Sequence, residues 1–336
     1  MHRTAAPLAP RLSLFLALLV LPACGDGGAP AGATAGSGGR SGGSGAHRIA
    51  VVPKGTTHSY WTKVERGARE AESQLGVEVV WKAQLDEGDR AGQIAVVQQL
   101  VGSGVDALCI APLDAKGLAR TVEDVVSKGV PVVVFDSMLD GEPGVDFAGY
   151  VGTDNEAAGR LAGETLAELL GGEGDVVLLR YLVGSASTEA RERGFLQAIA
   201  ERPGMQVLVS DRYAGATSAG AQSEALAMLP MLRRAKGVFC SNEPTTAGML
   251  LALRREKLLD DLVFVGFDSS TPLIEGLERG EIDALVVQDP VGMGREAVRL
   301  AQTLLEGGTI PPVTDTGAVV VRAADLADPD VRALVE

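Results

Sequence analysis

The chain has 336 residues, of which 46% are hydrophobic, and its 30 lysines and arginines against 44 acidic residues give a net charge of −14. This composition is ordinary for a globular protein and excludes a collagen-like, coiled-coil or wholly disordered chain. A negative surface repels phosphate backbones, so we expect no nucleic-acid partner. Three cysteines are too few for a disulfide framework.

The first 46 residues predict export and membrane tethering. Residues 12–21 form an apolar run that is too short to span a bilayer but typical of a signal peptide. The segment LPAC that ends at Cys24 resembles a bacterial lipobox, in which the cysteine is lipidated and residues 1–23 are removed. A plain secretory signal with an incidental cysteine is the alternative. Residues 24–46 would then be the lipidated cysteine with a flexible glycine- and serine-rich linker.

From residue 47 onward, strand and helix patterns alternate. Eleven short apolar runs predict strands at 49–52, 78–81, 107–110, 130–135, 148–151, 176–179, 206–210, 237–240, 263–267, 284–287 and 318–321. Helical periodicity lies between them, clearest at 62–75, 156–170 and 293–305. This alternation predicts an α/β fold with parallel sheets covered by helices. Eleven strands are many for one open sheet, so we expect two doubly wound sheets.

Ligands of such sheets bind beyond the carboxyl ends of the strands, so polar and aromatic residues at these points are candidate contacts. Carboxylates and amides form hydrogen bonds with hydroxyl groups, and the planar guanidinium of arginine donates several hydrogen bonds in a fixed geometry. Aromatic rings offer flat apolar faces. That combination suits a sugar or a similar polyol. The candidate ligand-binding residues are Lys54, His58, Tyr60, Trp61, Asp136, Ser137, Arg191, Asn242, Asp268 and Gln288.

Six motifs carry a family resemblance: IAVVPKGTTHSYW, GVPVVVFDS, STEARERGF, VFCSNE, FVGFDSS and ALVVQDP. From about Arg48 to the C-terminus the chain resembles the type I periplasmic sugar-binding proteins, of which the ribose-binding proteins are the model. The resemblance implies two lobes joined by a three-segment hinge, with a sugar held between them. It divides the body into residues 47–153 plus 289–314 and residues 154–288 plus 315–336.

The same resemblance assigns roles to several candidates. Asp136 and Arg191 match the family's sugar-binding acid and arginine. Asn242, Asp268 and Gln288 match the polar lining of the second lobe and hinge. Tyr60 and Trp61 match the family's pair of aromatics at the first helix, one of which usually stacks on the sugar.

The chain also departs from the family pattern. Lys54 and His58 stand where ribose binders often have serine and asparagine, and Ser137 stands where they have arginine. Lys54 is similar to the lysine of autoinducer-2 and rhamnose binders. Tyr213 is a candidate for the second-lobe aromatic. These departures leave the identity of the sugar open.

The resemblance predicts a monomeric substrate-binding lipoprotein of an ABC importer, anchored outside the cytoplasm by lipid alone and lacking enzymatic activity. We expect no cofactor, because no P-loop or dinucleotide-binding glycine motif is present, and no metal. Cys109 and Cys240 are predicted to be buried, free thiols. The alternatives are a sensory or chemotaxis component that binds a sugar or an autoinducer-2-like ligand, and a hydrolase using Asp136 and Asp268. A LacI-type repressor would need N-terminal DNA-binding helices, where this chain has a secretion signal.

Overall fold

The computed structural model describes residues 45–56 and 58–336. The predicted signal peptide, Cys24 and residues 25–44 of the predicted linker lie outside the described residues, and so does Thr57. Within the described part of the chain, no helix combines the length and the apolar character that crossing a membrane requires.

Strands and helices alternate along the body of the chain. The strands are Arg48–Val52 (β1), Glu78–Trp81 (β2), Ala107–Ile110 (β3), Val132–Phe135 (β4), Gly149–Gly152 (β5), Glu173–Arg180 (β6), Gly204–Tyr213 (β7), Gly237–Cys240 (β8), Val263–Phe267 (β9), Ala284–Gln288 (β10), Val313–Asp315 (β11) and Ala318–Val321 (β12). The helices are Ser59–Leu75 (α1), Arg90–Gly102 (α2), Ala119–Ser127 (α3), Asn155–Leu169 (α4), Ala186–Ala200 (α5), Ser218–Ala227 (α6), Leu229–Leu232 (α7), Glu243–Glu256 (α8), Thr271–Glu278 (α9), Pro290–Leu305 (α10) and Pro329–Val335 (α11). Short 3₁₀ turns lie at Leu259–Asp261 and Ala323–Ala327.

The strands form two six-stranded sheets. The first has the order β11-β5-β4-β3-β1-β2 and is parallel throughout. The second has the order β12-β10-β9-β8-β6-β7, and only its edge strand β12 runs antiparallel. The two orders correspond strand for strand, so β4 and β9 occupy equivalent positions.

The chain crosses between the sheets three times. It leaves β5 through Thr153 and Asp154 into α4, which packs on the second sheet. It returns from β10 through Asp289 into α10, which packs on the first sheet. It crosses again at Thr316 and Gly317, between β11 and β12. The three crossings follow strands at the β5/β11 and β10/β12 ends of the sheets, which is where the predicted hinge would lie.

Each sheet is buried on both faces, because successive strand residues point to opposite sides. In β1, Ile49 and Val51 pack among the residues under α1 and α10, whereas Ala50 and Val52 join a cluster on the other face. The strands of the second sheet alternate in the same way. These packed layers fix the strand ends from which the cavity described next is built.

The predicted α/β class with two doubly wound sheets is confirmed, with one strand missed. That strand, β11, is short and follows Pro311 and Pro312, and Val313 and Asp315 are exposed. It therefore lacks the continuous apolar run that marks the other strands. The predicted helices each begin or end within three residues of their observed limits.

Candidate ligand-binding site

A narrow cavity with about 30 Å³ of free volume lies where the carboxyl ends of strands from both sheets meet. Nine of the ten predicted ligand-binding residues line it: Lys54, His58, Tyr60, Trp61, Asp136, Arg191, Asn242, Asp268 and Gln288. The tenth, Ser137, lies just behind the wall, with Ser137 Oγ 2.8 Å from Ser187 Oγ.

Two aspartates occupy equivalent places in the two halves of the cavity. Asp136 follows β4 with φ 62°, and Asp268 follows β9 with φ 68°. Residues other than glycine seldom adopt this left-handed conformation, and each such residue costs about 1–3 kcal/mol. The backbone at the two strand ends therefore turns sharply and aims both carboxylates into the cavity.

Asp136 is held by two donors. Lys54 Nζ lies 3.1 Å from Oδ2, and the Tyr60 hydroxyl donates to Oδ1 at 2.8 Å. Burial and the charges of Asp136 and Asp268 raise the pKa of Tyr60 well above its usual value, so this hydroxyl keeps its proton. Both charged partners are buried, and a buried pair of this kind depends on the presence of each member.

Asp268 is fixed from three sides. Gln288 Nε2 donates to Oδ1 at 2.6 Å, the backbone N–H of Glu243 donates to Oδ2 at 3.1 Å, and Arg191 Nη1 lies 4.0 Å from Oδ2. Burial raises the pKa of Asp268, while the Arg191 charge and the Gln288 hydrogen bond oppose that rise. The carboxylate thus has a set orientation and can still accept from a hydroxyl on its cavity side.

Arg191 is buried on α5 rather than lying on a solvated face. Its Nε donates to Asn155 Oδ1 at 2.8 Å, its Nη1 donates to the Ser241 carbonyl at 3.1 Å, and its guanidinium lies 3.9 Å from the centre of the Phe267 ring. Arg193, two residues on, is exposed and pairs with Glu156. The helix therefore presents one arginine to the cavity and one to solvent.

Lys54 reaches from the first half of the cavity to the second. Besides Asp136, its Nζ lies 3.0 Å from Ser187 Oγ and 3.5 Å from Ser185 Oγ, at the start of α5. Ser137 and Ser187 are hydrogen-bonded beside it. These contacts join the two halves directly.

A second bridge lies at Glu87. The Trp61 indole N–H donates to Oε1 at 2.6 Å from one side, and the Tyr181 hydroxyl donates to Oε2 at 2.8 Å from the other. Tyr181 follows β6 and is buried, whereas Tyr213 is 39% exposed and packs against Arg180. Tyr181, not Tyr213, is therefore the second-half aromatic that lines the cavity.

His58 lies between carboxylates from both halves. Its Nε2 is 3.4 Å from Glu87 Oε1 and 3.1 Å from the Ala216 carbonyl oxygen. Its Nδ1 is 3.4 Å from Glu243 Oε2. Glu243 opens α8, directly after the N-cap Asn242, whose side chain accepts from the backbone of Thr245.

Glu192 supports this wall from behind. It is 1% exposed, and its Oε1 accepts from the Tyr181 backbone N–H at 3.1 Å and from Ser241 Oγ at 3.0 Å. Arg180 pairs with Oε2 at 3.1 Å. Burial raises the pKa of Glu192 to about 7, although those hydrogen bonds and the charge of Arg180 work to lower it.

The predicted set leaves out six lining residues, which are Glu87, Tyr181, Ser187, Thr188, Glu243 and Pro244. The pattern of residues after the strands indicates Tyr181, Ser187, Thr188 and Glu243 as well, but they were not selected. Tyr181 directly follows β6, and Glu87 lies in the loop after β2, a strand end that was not considered. Within residues 45–56 and 58–336, no group of three or more histidine, cysteine or acidic side chains is arranged to hold a metal ion. Cys109 and Cys240 are buried free thiols, as predicted.

Known proteins resemble this chain over most of its length. The D-allose-binding periplasmic protein of Escherichia coli is 26% identical over 273 residues, which cover 80% of this chain and 88% of the relative. The D-ribose/D-allose-binding protein of Pseudomonas aeruginosa is 29% identical over 270 residues, covering 78% and 83%.

Solved structures agree with this relationship. A carbohydrate transporter solute-binding protein from Agrobacterium radiobacter, in complex with D-arabinose, has a TM-score of 0.83 and 32% identity over 88% of this chain and 100% of its own. An ABC-type sugar transport system periplasmic component from Hahella chejuensis has a TM-score of 0.79 and 37% identity over 82% and 99%. The sequence pattern of the periplasmic binding protein domain matches residues 49–309. The chain therefore belongs to the periplasmic binding protein family, in the type I sugar-binding group that its motifs resemble.

Proposed function

We propose that this protein binds one aldopentose or aldohexose between its two sheets and delivers it to an ABC importer. The observation that carries the proposal is the pair Asp136 and Asp268, which line one cavity from equivalent strand ends. Relatives named for D-allose and D-ribose, and structures containing D-arabinose and D-fucose, support the class of ligand.

The binding residues that we propose are Glu87, Tyr181 and eight of the predicted ones: Lys54, Tyr60, Trp61, Asp136, Arg191, Asn242, Asp268 and Gln288. The other two predicted residues would act indirectly, Ser137 by supporting Ser187 from behind the wall and His58 through its neighbours at the edge of the cavity. Lys54 and Arg191 would donate to sugar oxygens, while Asp136 and Asp268 would accept from hydroxyls. Such paired polar groups discriminate strongly, because an unmatched buried donor or acceptor is costly. Trp61 and Tyr181 would supply apolar ring surface for the C–H faces of the sugar.

Capture works through closure of two lobes, for which we propose the limits 47–153 plus 289–314 and 154–288 plus 315–336. A ligand that touches Asp136 in one lobe and Asp268 in the other stabilises the closed form, because only that form makes both sets of contacts. The closed protein would then dock on the permease. We propose binding and release alone, with no bond made or broken and no cofactor.

An extracytoplasmic location follows from the family, and we propose that lipidation of Cys24 anchors the mature protein there as a monomer. Residues 25–46 would act as the tether. Fractionation of cells producing the native protein and Cys24→Ser tests the anchor. The native protein should sediment with membranes and the variant should be soluble; a native protein that is already soluble would refute the anchor.

A thermal-shift screen tests the binding role, because a ligand of the native state raises the melting temperature by mass action. The panel contains D-ribose, D-allose, D-arabinose, D-fucose, xylitol and autoinducer-2, and calorimetry then gives the Kd. A micromolar or tighter Kd corresponds to at least about 8 kcal/mol.

Matched variants identify the site. Arg191→Met should weaken binding by about 2–5 kcal/mol, because its buried partners lose their cation. Arg193→Met, on the exposed side of the same helix, should bind like the native protein. Asp268→Asn provides a second loss-of-binding variant. The proposal fails if no aldose binds the folded protein, or if the Arg191 and Asp268 variants bind as tightly as the native chain.

A further inference from the structure

His58 joins the two lobes at the end of the cavity farthest from the hinge. The crossings follow β5, β10 and β11, at one end of each sheet, whereas Glu87 follows β2 and Ala216 follows β7, at the other. The contacts of His58 with Glu87 and Ala216 therefore lie at the edge away from the crossings, and its contact with Glu243, which follows the inner strand β8, also joins the two sheets.

Counting protons on this histidine gives its charge. The Ala216 carbonyl oxygen and the Glu243 carboxylate can only accept hydrogen bonds, and they lie 3.1 Å from Nε2 and 3.4 Å from Nδ1. Both ring nitrogens must therefore carry a proton to satisfy both contacts. A neutral imidazole has a single N–H and would lose one of the two. The two contacts together therefore favour the imidazolium.

The electrostatic surroundings favour the same form. Burial works to lower the pKa of His58, but the hydrogen bond to Glu243, the charges of Glu87 and Glu243 and the Ala216 carbonyl together raise it above its usual value. The other charged groups of the cavity pair with one another, Lys54 with Asp136 and Arg191 with Asp268. Within the described part of the chain, the other hydrogen bonds of Glu87 come from the neutral donors of Trp61 and Tyr181.

We propose that His58, held as an imidazolium between Glu87, Glu243 and Ala216, is a positioning residue that fastens the closed lobes and makes ligand binding tighter as the pH falls. The proposal rests on the proposed function, because it concerns the regulation of the same site.

The direction of the pH dependence follows from linkage. Opening removes Glu243 and Ala216 from the ring, so the pKa of His58 returns towards its ordinary value of about 6.5. The closed form therefore holds the proton more tightly than the open form. The gain in affinity is fully present below pH of about 6.5 and is lost as the pH rises through the higher pKa of the closed form. A protein outside the cytoplasm experiences the surrounding pH, so it would capture its ligand best in acid.

Calorimetry at pH 5.5, 7.0 and 8.5 tests the proposal, with the tightest binder among D-ribose, D-allose, D-arabinose and D-fucose as the probe. The native protein should bind about tenfold more weakly at pH 8.5 than at pH 5.5, which is the effect of losing one charge-assisted hydrogen bond. His58→Gln should bind at every pH about as the native protein does at pH 8.5.

Two further variants sharpen this test. His47→Gln is the matched control, because His47 contacts Gln302 away from the cavity, and it should keep the native pH profile. Glu243→Gln should flatten the profile as His58→Gln does. Other groups that titrate in this range, such as Glu192, are present in all the variants. Their contribution to the pH dependence of Kd therefore cancels when the variants are compared. The proposal is overturned if His58→Gln retains the native pH dependence or if the native protein has none.

A measurement without sugar separates this proposal from the proposed function. Ser137 Oγ and Ser187 Oγ lie 2.8 Å apart across the lobes, so the variant Ser137→Cys/Ser187→Cys should form a disulfide that locks the closed form. NMR titration should give His58 a higher pKa in the cross-linked protein than in the reduced one. An equal or lower pKa would overturn the role of His58. Failure of every sugar to bind would count against the proposed function alone.

Discussion

Gly159 controls how closely α4 approaches α5, and thereby where Arg191 lies. A Cβ added at this glycine would stand 2.5 Å from Arg191 Cα and overlap the Arg191 carbonyl group. Carbon atoms in ordinary contact are about 3.5–4.0 Å apart. Gly159→Ala must therefore push the two helix backbones apart by roughly 1 Å at the residue that carries the guanidinium.

The expected consequences are a loss of stability and a loss of affinity. Overpacking of this kind costs about 1–3 kcal/mol, which urea unfolding measures. A displacement of about 1 Å at a binding group can cost up to 100-fold in function, which calorimetry with the sugar identified above measures as Kd. Gly102→Ala is the matched control, because an added Cβ there meets nothing within 4 Å, and its stability should stay within about 1 kcal/mol of native. A Gly159→Ala protein with native stability and native Kd would refute this account of the helix contact.

Glu192→Gln should remove a pH dependence of stability. The pKa of Glu192 is raised from 4.5 to about 7 in the native state, so the native protein loses stability as the pH rises from 4.5 to 7, by up to about 3 kcal/mol. Identical pH profiles of the unfolding free energy for the variant and the native protein would contradict this. Asp136→Asn leaves the Lys54 ammonium buried without its carboxylate and should cost about 3–5 kcal/mol in urea unfolding, whereas adding Lys54→Met should restore much of the loss. Burial raises the pKa of the Cys109 and Cys240 thiols, so a thiol reagent mapped by mass spectrometry should modify them only on unfolding; labelling of either in the native protein would argue against their burial.

The parts of the fold that the sequence predicts are those that local patterns determine. Strands such as Ala107–Ile110 and Gly237–Cys240 are fully buried on both faces and appear as unbroken apolar runs. Asp136 and Asp268 are predictable as site residues because each directly follows such a strand, and parallel sheets place strand ends at one edge.

The missed residues depend on contacts with distant parts of the chain. Glu87 lies six residues after the end of β2, and its inward position depends on Trp61 and on Tyr181 of the opposite lobe. Tyr213 shows the converse case. Its strand β7 pairs with β6 through two shifts of register, and each shift changes which side chains face inward. Counting along β7 therefore does not reveal that Tyr213 is exposed.

The crossings and the contacts of His58 have different tasks. Thr153 Oγ1, on the first crossing, lies 2.8 Å from Gln288 Oε1, beside the second crossing, and 3.1 Å from the carbonyl oxygen of Gly317, on the third. Gln288 in turn donates to Asp268, so this carboxylate is linked to all three crossings. With the closure that we propose, the contact of His58 with Glu243 must break when the lobes open. The crossing end would then hold the ligand in a fixed orientation, while the contacts of His58 would set how strongly the closed form is favoured.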